Sequence, residues 1–184
     1  LAERGFAITG VDRSQEMLKA AQSKVSYRDL PLTFRQADIR HLNLDQTFGA
    51  ALLMFAVLGY QLGNDDVLAT LQTARRHLRP DGLLIFDVWY GPAVLAQRPT
   101  DRVKVIPTAE GKILRSASGE LDLRRQVCKV HYHLWQLRGD RLVAETCEEH
   151  AMRFFFPREL ELFLQTAGFS LLRLGAFPSF DQEP

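Results

Sequence analysis

No two glycines in this sequence stand two residues apart, so no G-x-G exists anywhere among the 12 glycines. That absence counts against a dinucleotide fingerprint, in which paired glycines let the backbone approach a pyrophosphate. Cysteine is scarce as well. Cys128 and Cys147 make neither a disulfide framework nor a C-x-x-C pair, and free thiols point to a reducing cytoplasm. No apolar run approaches the roughly 20 residues of a membrane helix. Charge of one sign is missing too: the formal balance is +1, with no basic block to hold nucleic acid and no acidic tail. No signal peptide is visible.

What remains is an alternation of apolar strands and amphipathic helices over 184 residues. "LAERG" reads as the last turn of a helix with Gly5 as its C-terminal cap, which implies a helix begun upstream. FAITGVD (6–12) is a buried strand, and Ser14 then caps a helix reaching about Val25. Further strands are expected near 32–39 and 49–56, the latter apolar on both faces and so parallel and central. Asp65-Asp66 opens an amphipathic helix, "RPDG" (79–82) is a turn, and "LLIFDVW" is the next strand.

The pattern changes after Trp89. From about Val103 to Phe154 no helical period exists, and antiparallel strands are expected, with a hairpin turn at Gly139-Asp140. Residues 157–168 return to helix, between Pro157 and Gly168, and "FSLLRLGAF" reads as a last strand. The expected organisation is an α/β core over 1–98 and 155–184, its mostly parallel sheet interrupted by an antiparallel β insertion over 99–154. The insertion would act as a lid or as a homodimer face.

Ligands of open parallel sheets bind beyond the carboxyl ends of the strands. Asp12 ends one strand, where a carboxylate can accept both hydroxyls of a ribose. Asp38 ends the next, where it can face an exocyclic amine. Met17 offers an apolar surface between them. Tyr60, Trp89 and Tyr90 follow strand ends on the ligand side and are candidate substrate contacts. Their alternative role is to seal the junction between core and insertion. Arg153 is suited to a substrate carboxylate or phosphate, with a surface ion pair as its alternative. His133 and Tyr60 are candidate proton acceptors. If Arg138 pairs with Arg141 and the register then runs unbroken, His131 faces Glu148 and His133 faces Thr146. Spacing fixes no further ligand, and no metal is assigned.

"LAERGFAITGVDRSQEMLKAAQSK", "FRQADIRHLNLDQTFGAALLMFAVLGY" and "TARRHLRPDGLLIFDVWYGPAV" together resemble class I S-adenosylmethionine-dependent methyltransferases. The later stretches and the insertion are similar to the small-molecule, amino-sugar N-methyltransferase type. The resemblance implies a Rossmann-like fold, S-adenosylmethionine as cofactor, and methyl transfer to a nitrogen or oxygen of a small molecule. It implies Asp12 on the ribose, Met17 on the adenine, Asp38 and Ile39 at the adenine edge, and Met54 and Phe55 at the methionine end. It also implies that the family's first strand, its glycine-rich loop and its last strand are absent, as in a chain trimmed at both ends. Such a stretch is expected to bind the cofactor poorly and to be inactive alone. The competing readings are a nicotinamide-dependent dehydrogenase, which shares the acid-ended strand, and a non-catalytic binding domain that uses the insertion sheet.

Overall fold

The computed structural model describes residues 1–25, 28–177 and 179–183. Ala2–Arg4 forms a 3-10 turn, closed by Gly5 at φ 85°, whose N–H donates to the Ala2 carbonyl. Glycine suits that left-handed position because it carries no Cβ. Two parallel strand pairs follow. β1 (Ile8–Asp12) pairs with β2 (Leu32–Gln36) across the helix α1 (Gln15–Val25). β3 (Phe48–Leu53) pairs with β4 (Leu78–Phe86) across α2 (Asn64–Arg76). Among the described residues the two pairs are not joined by a ladder.

The third sheet is larger, in the order β5-β9-β8-β7-β6. β6 (Arg102–Thr108), β7 (Gly111–Asp122), β8 (Val127–Arg138) and β9 (Arg141–Phe155) form an antiparallel meander. β5 (Trp89–Tyr90) adds to it in parallel, facing Phe154 and Phe155. β9 therefore begins in the meander and ends inside the core, crossing the expected boundary at 154. α3 (Gly91–Gln97) follows β5, and α4 (Pro157–Thr166) follows β9.

The core gathers Leu58, Val67, Leu71, Phe155, Leu160, Phe163, Leu164 and Ala167, with Leu84 and Phe86 packed against it. Its apolar stripe on α2 is the one the helical period implies. α4 ends as its sequence suggests: Gly168 at φ 81° and Phe169 donate their N–H groups to Gln165 and Leu164.

Three expectations fail, each for a physical reason. "RPDG" is not a turn between elements. Leu78 pairs with Phe48 and Leu83 with Ala50, so the extra residues are absorbed as a bulge inside β4. "FSLLRLGAF" forms no strand: among the described residues it joins no ladder, and Leu172 stands 80% exposed. The hairpin turn at Gly139-Asp140 is correct, with Arg138 facing Arg141, but the unbroken register is not. Leu137 faces Leu142 and Gln136 faces Ala144, which leaves Val143 as an extra residue. His131 consequently faces Glu149, not Glu148, and His133 faces Cys147, not Thr146. A one-residue slip exchanges the two faces of a strand. Both cysteines are free, and burial raises the pKa of the Cys128 thiol.

Candidate active site at the carboxyl ends of the parallel strands

β1 delivers Asp12 to its carboxyl end, where Oδ1 accepts the Ser14 N–H at 2.8 Å. Ser14 Oγ in turn accepts the Met17 N–H at 3.2 Å, which starts α1 at this point. Asp12 Oδ2 has no protein partner among the described residues, and Met17 is 61% exposed on the first turn beside it. An unengaged acceptor oxygen and an apolar surface thus lie next to each other.

Asp38 is not available in the same way. Its Oδ1 accepts the backbone N–H of Arg40 at 2.9 Å and Nε at 3.0 Å, and Oδ2 accepts an Arg40 terminal nitrogen at 2.6 Å. Arg40 also reaches Asp66 on α2 at 2.8 Å. In this structure Asp38 anchors a loop pinned to α2. These hydrogen bonds from Arg40 hold the Asp38 carboxyl down, from 3.8 to about 2. A depressed folded-state pKa stabilises the fold above pH 3.8, and the contribution is lost as pH falls through about 2. Asp38→Asn is therefore expected to flatten the loss of stability between those pH values, read by thermal melts across an acid series. An unchanged pH profile would remove Asp38 from that role.

At the end of β3 the backbone turns sharply. Phe55 (φ 65°) and Ala56 (φ 56°) are consecutive left-handed residues, neither of them glycine. Such conformations cost on the order of 1–3 kcal/mol each and concentrate at functional sites. Asp87, just beyond β4, holds the turn: its Oδ2 accepts the Ala56 N–H at 2.9 Å. Its Oδ1 is buried with no partner. The turn leaves Phe55 83% exposed, and Met54 just before it is half-buried.

Tyr60 lies in the 3-10 turn Val57–Tyr60. Its hydroxyl is 3.2 Å from His150 Nδ1, and His150 Nε2 is 3.2 Å from Glu148 Oε2. Tyr132 stands edge-on to the His150 ring, and Arg115 lies over the Tyr132 ring. His150 was hidden in the sequence because the Val143 bulge decides which face it occupies. His133 lies on the opposite face, paired with Glu145 and stacked on Trp135 at 3.8 Å. It does not meet Tyr60.

Trp89 and Tyr90 form β5, laddered to Phe154 and Phe155. Arg153 forms an ion pair, but a buried one and not the expected surface pair: it is 5% exposed, paired with Glu159 and donating to Asn64 Oδ1 at 2.8 Å. Among the described residues no cluster of three His, Cys, Asp or Glu side chains is placed to hold a metal.

This architecture has relatives. The methyltransferase domain pattern matches residues 1–82. The putative methyltransferase YqeM of Bacillus subtilis is 32% identical over 177 residues, spanning 96% of this chain and 70% of that protein. The chain belongs to the methyltransferase family. A dTDP-3-amino-3,6-dideoxy-alpha-D-glucopyranose N,N-dimethyltransferase of Streptomyces fradiae is 23% identical over 97% of this methyltransferase and 68% of its own length. The solved structure of an S-adenosylmethionine-dependent methyltransferase from Clostridium acetobutylicum superposes with a TM-score of 0.80. It is 20% identical over 96% of this chain and 69% of its own, and it shows that this methyltransferase shares the fold.

Proposed function

We propose that the chain serves S-adenosylmethionine-dependent methyl transfer to a nitrogen or oxygen of a small molecule, not of a nucleic acid, in the cytoplasm; the balanced charge supports the small acceptor. The observation that carries this reading is the similarity to YqeM over 96% of this chain. The relative that acts on an amino sugar supports a small acceptor. Asp12 Oδ2 fits a ribose hydroxyl, and Met17 fits the face of an adenine, with Ile39 at its edge. Met54 and Phe55 fit the methionine end. Asp38 acts indirectly, by fixing the loop that carries Ile39.

S-adenosylmethionine supplies an electrophilic methyl on a sulfonium. The protein's part is to place the acceptor in line, roughly 3–3.5 Å behind that carbon. Phe55 presents an aromatic face that suits a cationic or alkylammonium group. An amine or hydroxyl acceptor must also lose a proton. The Tyr60–His150–Glu148 chain can take it, with Glu148 stabilising the imidazolium that results.

The test is calorimetric titration with S-adenosylhomocysteine. Binding is expected to be weak, since no G-x-G loop cradles the ligand. Asp12→Asn removes a charge-assisted bond of roughly 1.5–3 kcal/mol, so affinity should fall a further tenfold or more, about 10–100-fold in all. Equal affinity in the variant removes Asp12 from the site. An absence of binding to the unaltered chain removes the cofactor reading.

A further inference from the structure

A cavity of about 370 Å³ lies between α3, the residues that follow it and the meander. That volume falls within the roughly 300–1,000 Å³ usual for small-molecule sites. Its walls are mainly apolar: Trp89 and Tyr90 of β5, Val94 of α3, and Cys128 and Val130 of β8. Gly119 on β7 shapes one end. A Cβ there would stand 2.6 Å from Pro99, so the missing side chain lets the segment after α3 lie against the sheet.

Two arginines line this apolar space, Arg98 and Arg102, and no carboxylate does. The Arg98 side chain has no hydrogen bond or ion pair among the described residues, and Arg102 has only Nε on the Thr100 hydroxyl at 3.3 Å. Arg98 also stands where glycine is the ordinary choice. It closes α3 at φ 45°, its N–H donating to the Val94 carbonyl at 3.0 Å. A side chain held at positive φ is strained, and such strain gathers at ligand clamps. The surrounding charge favours an anion. Lys104 follows Arg102 onto the same face of β6 and is the cross-strand partner of Arg115. Of the nearby acids, Glu148 is held by His150, and Glu120 lies on the opposite face of the sheet, facing Lys129. Asp87 is turned to the Ala56 N–H. Asp101, between the two arginines in sequence, is exposed, lies outside the cavity lining and makes no ion pair among the described residues.

We propose that this cavity binds an aromatic carboxylate, with its ring against Trp89 and Val130 and its carboxylate on Arg98 and Arg102. A planar guanidinium matches a carboxylate through paired N–H bonds. A phosphate dianion fits less well, because apolar walls make each added charge costlier to desolvate. Val130 is the cross-strand partner of His150, so a bound acid lies beside the Tyr60–His150–Glu148 chain. Taken with the proposed function, the methyl acceptor is then an aromatic acid that carries an amine or hydroxyl, and this assignment rests on the methyl-transfer reading. The binding itself does not.

The experiment is a nitrogen-15 titration of the full chain with phenylacetate, its neutral analogue phenylacetamide, and inorganic phosphate. Phenylacetate should shift the Trp89 indole N–H and the amides of Arg98, Gly119 and Val130. The Trp135 indole lies on the other face of β8, donates to Glu145 and should not move. Phenylacetamide should bind about tenfold more weakly, for want of the charge-assisted bonds. Arg98→Gly with Arg102→Ala should bring phenylacetate down to the level of the amide. Both side chains are exposed and glycine accepts the positive φ, so the variant should keep the amide pattern elsewhere. Should it fail to fold, the comparison of acid with amide on the unaltered chain still decides. Equal binding of acid and amide, phosphate binding as tight as phenylacetate, or an unmoved Trp89 indole would each overturn the proposal. None of these outcomes involves S-adenosylhomocysteine, so the cofactor titration can fail while this site stands.

Discussion

Glu159→Ala is expected to destabilise the fold by about 3–5 kcal/mol, the range for stranding one member of a buried ion pair. Arg153 would keep its bonds to Asn64 and the Leu62 carbonyl but lose its counter-charge, with its guanidinium still lying over Phe155 and Phe163. A second loss adds to this: the Phe156 N–H, at the start of α4, donates to Glu159 Oε2 at 3.4 Å. Urea unfolding measures the effect. The double variant Arg153→Met, Glu159→Leu should recover most of it, because an apolar pair removes the stranded charge instead of exposing it. A single-variant loss below about 1 kcal/mol would mean that the pair behaves as a surface one.

Phe155→Ala should produce a loss of about 3–5 kcal/mol by a different route, the cavity left in a close-packed core. Phe155 is fully buried at the last position of β9, among Leu58, Val67, Leu71 and Phe163. Its backbone also ladders to Tyr90, so collapse around the missing ring is resisted from two directions. Phe155→Leu keeps most of the volume and should cost about 1–2 kcal/mol. If Phe155→Ala and Phe155→Leu unfold at the same urea concentration, the core does not close around this ring.

Local chemistry was the legible part of the sequence. Gly5, Gly168, Pro157 and the Gly139-Asp140 turn each act where a single residue's backbone preference decides, and each appears in its expected place. The parallel pairs were legible from apolar runs, and α2 from its stripe. Two things were not. A bulge leaves no mark in composition, so Val143 could not announce that it would put His150 on the face opposite His133. Partner choice was the other. Asp38 looks like a free acid at a strand end until Arg40, two residues on, folds back onto both of its oxygens. Sequence placed both acids just beyond the strand ends, but it could not tell a vacant carboxylate from one already occupied.

β9 has a practical bearing on engineering. Its final residues are both the last rung of the meander and a wall of the hydrophobic interior. An exchange of meanders between relatives that cuts at the visual border would sever Arg153 from Glu159 and Phe155 from its neighbours. A workable chimaera would keep the recipient's own residues from 153 onward and join the foreign hairpins upstream of that point.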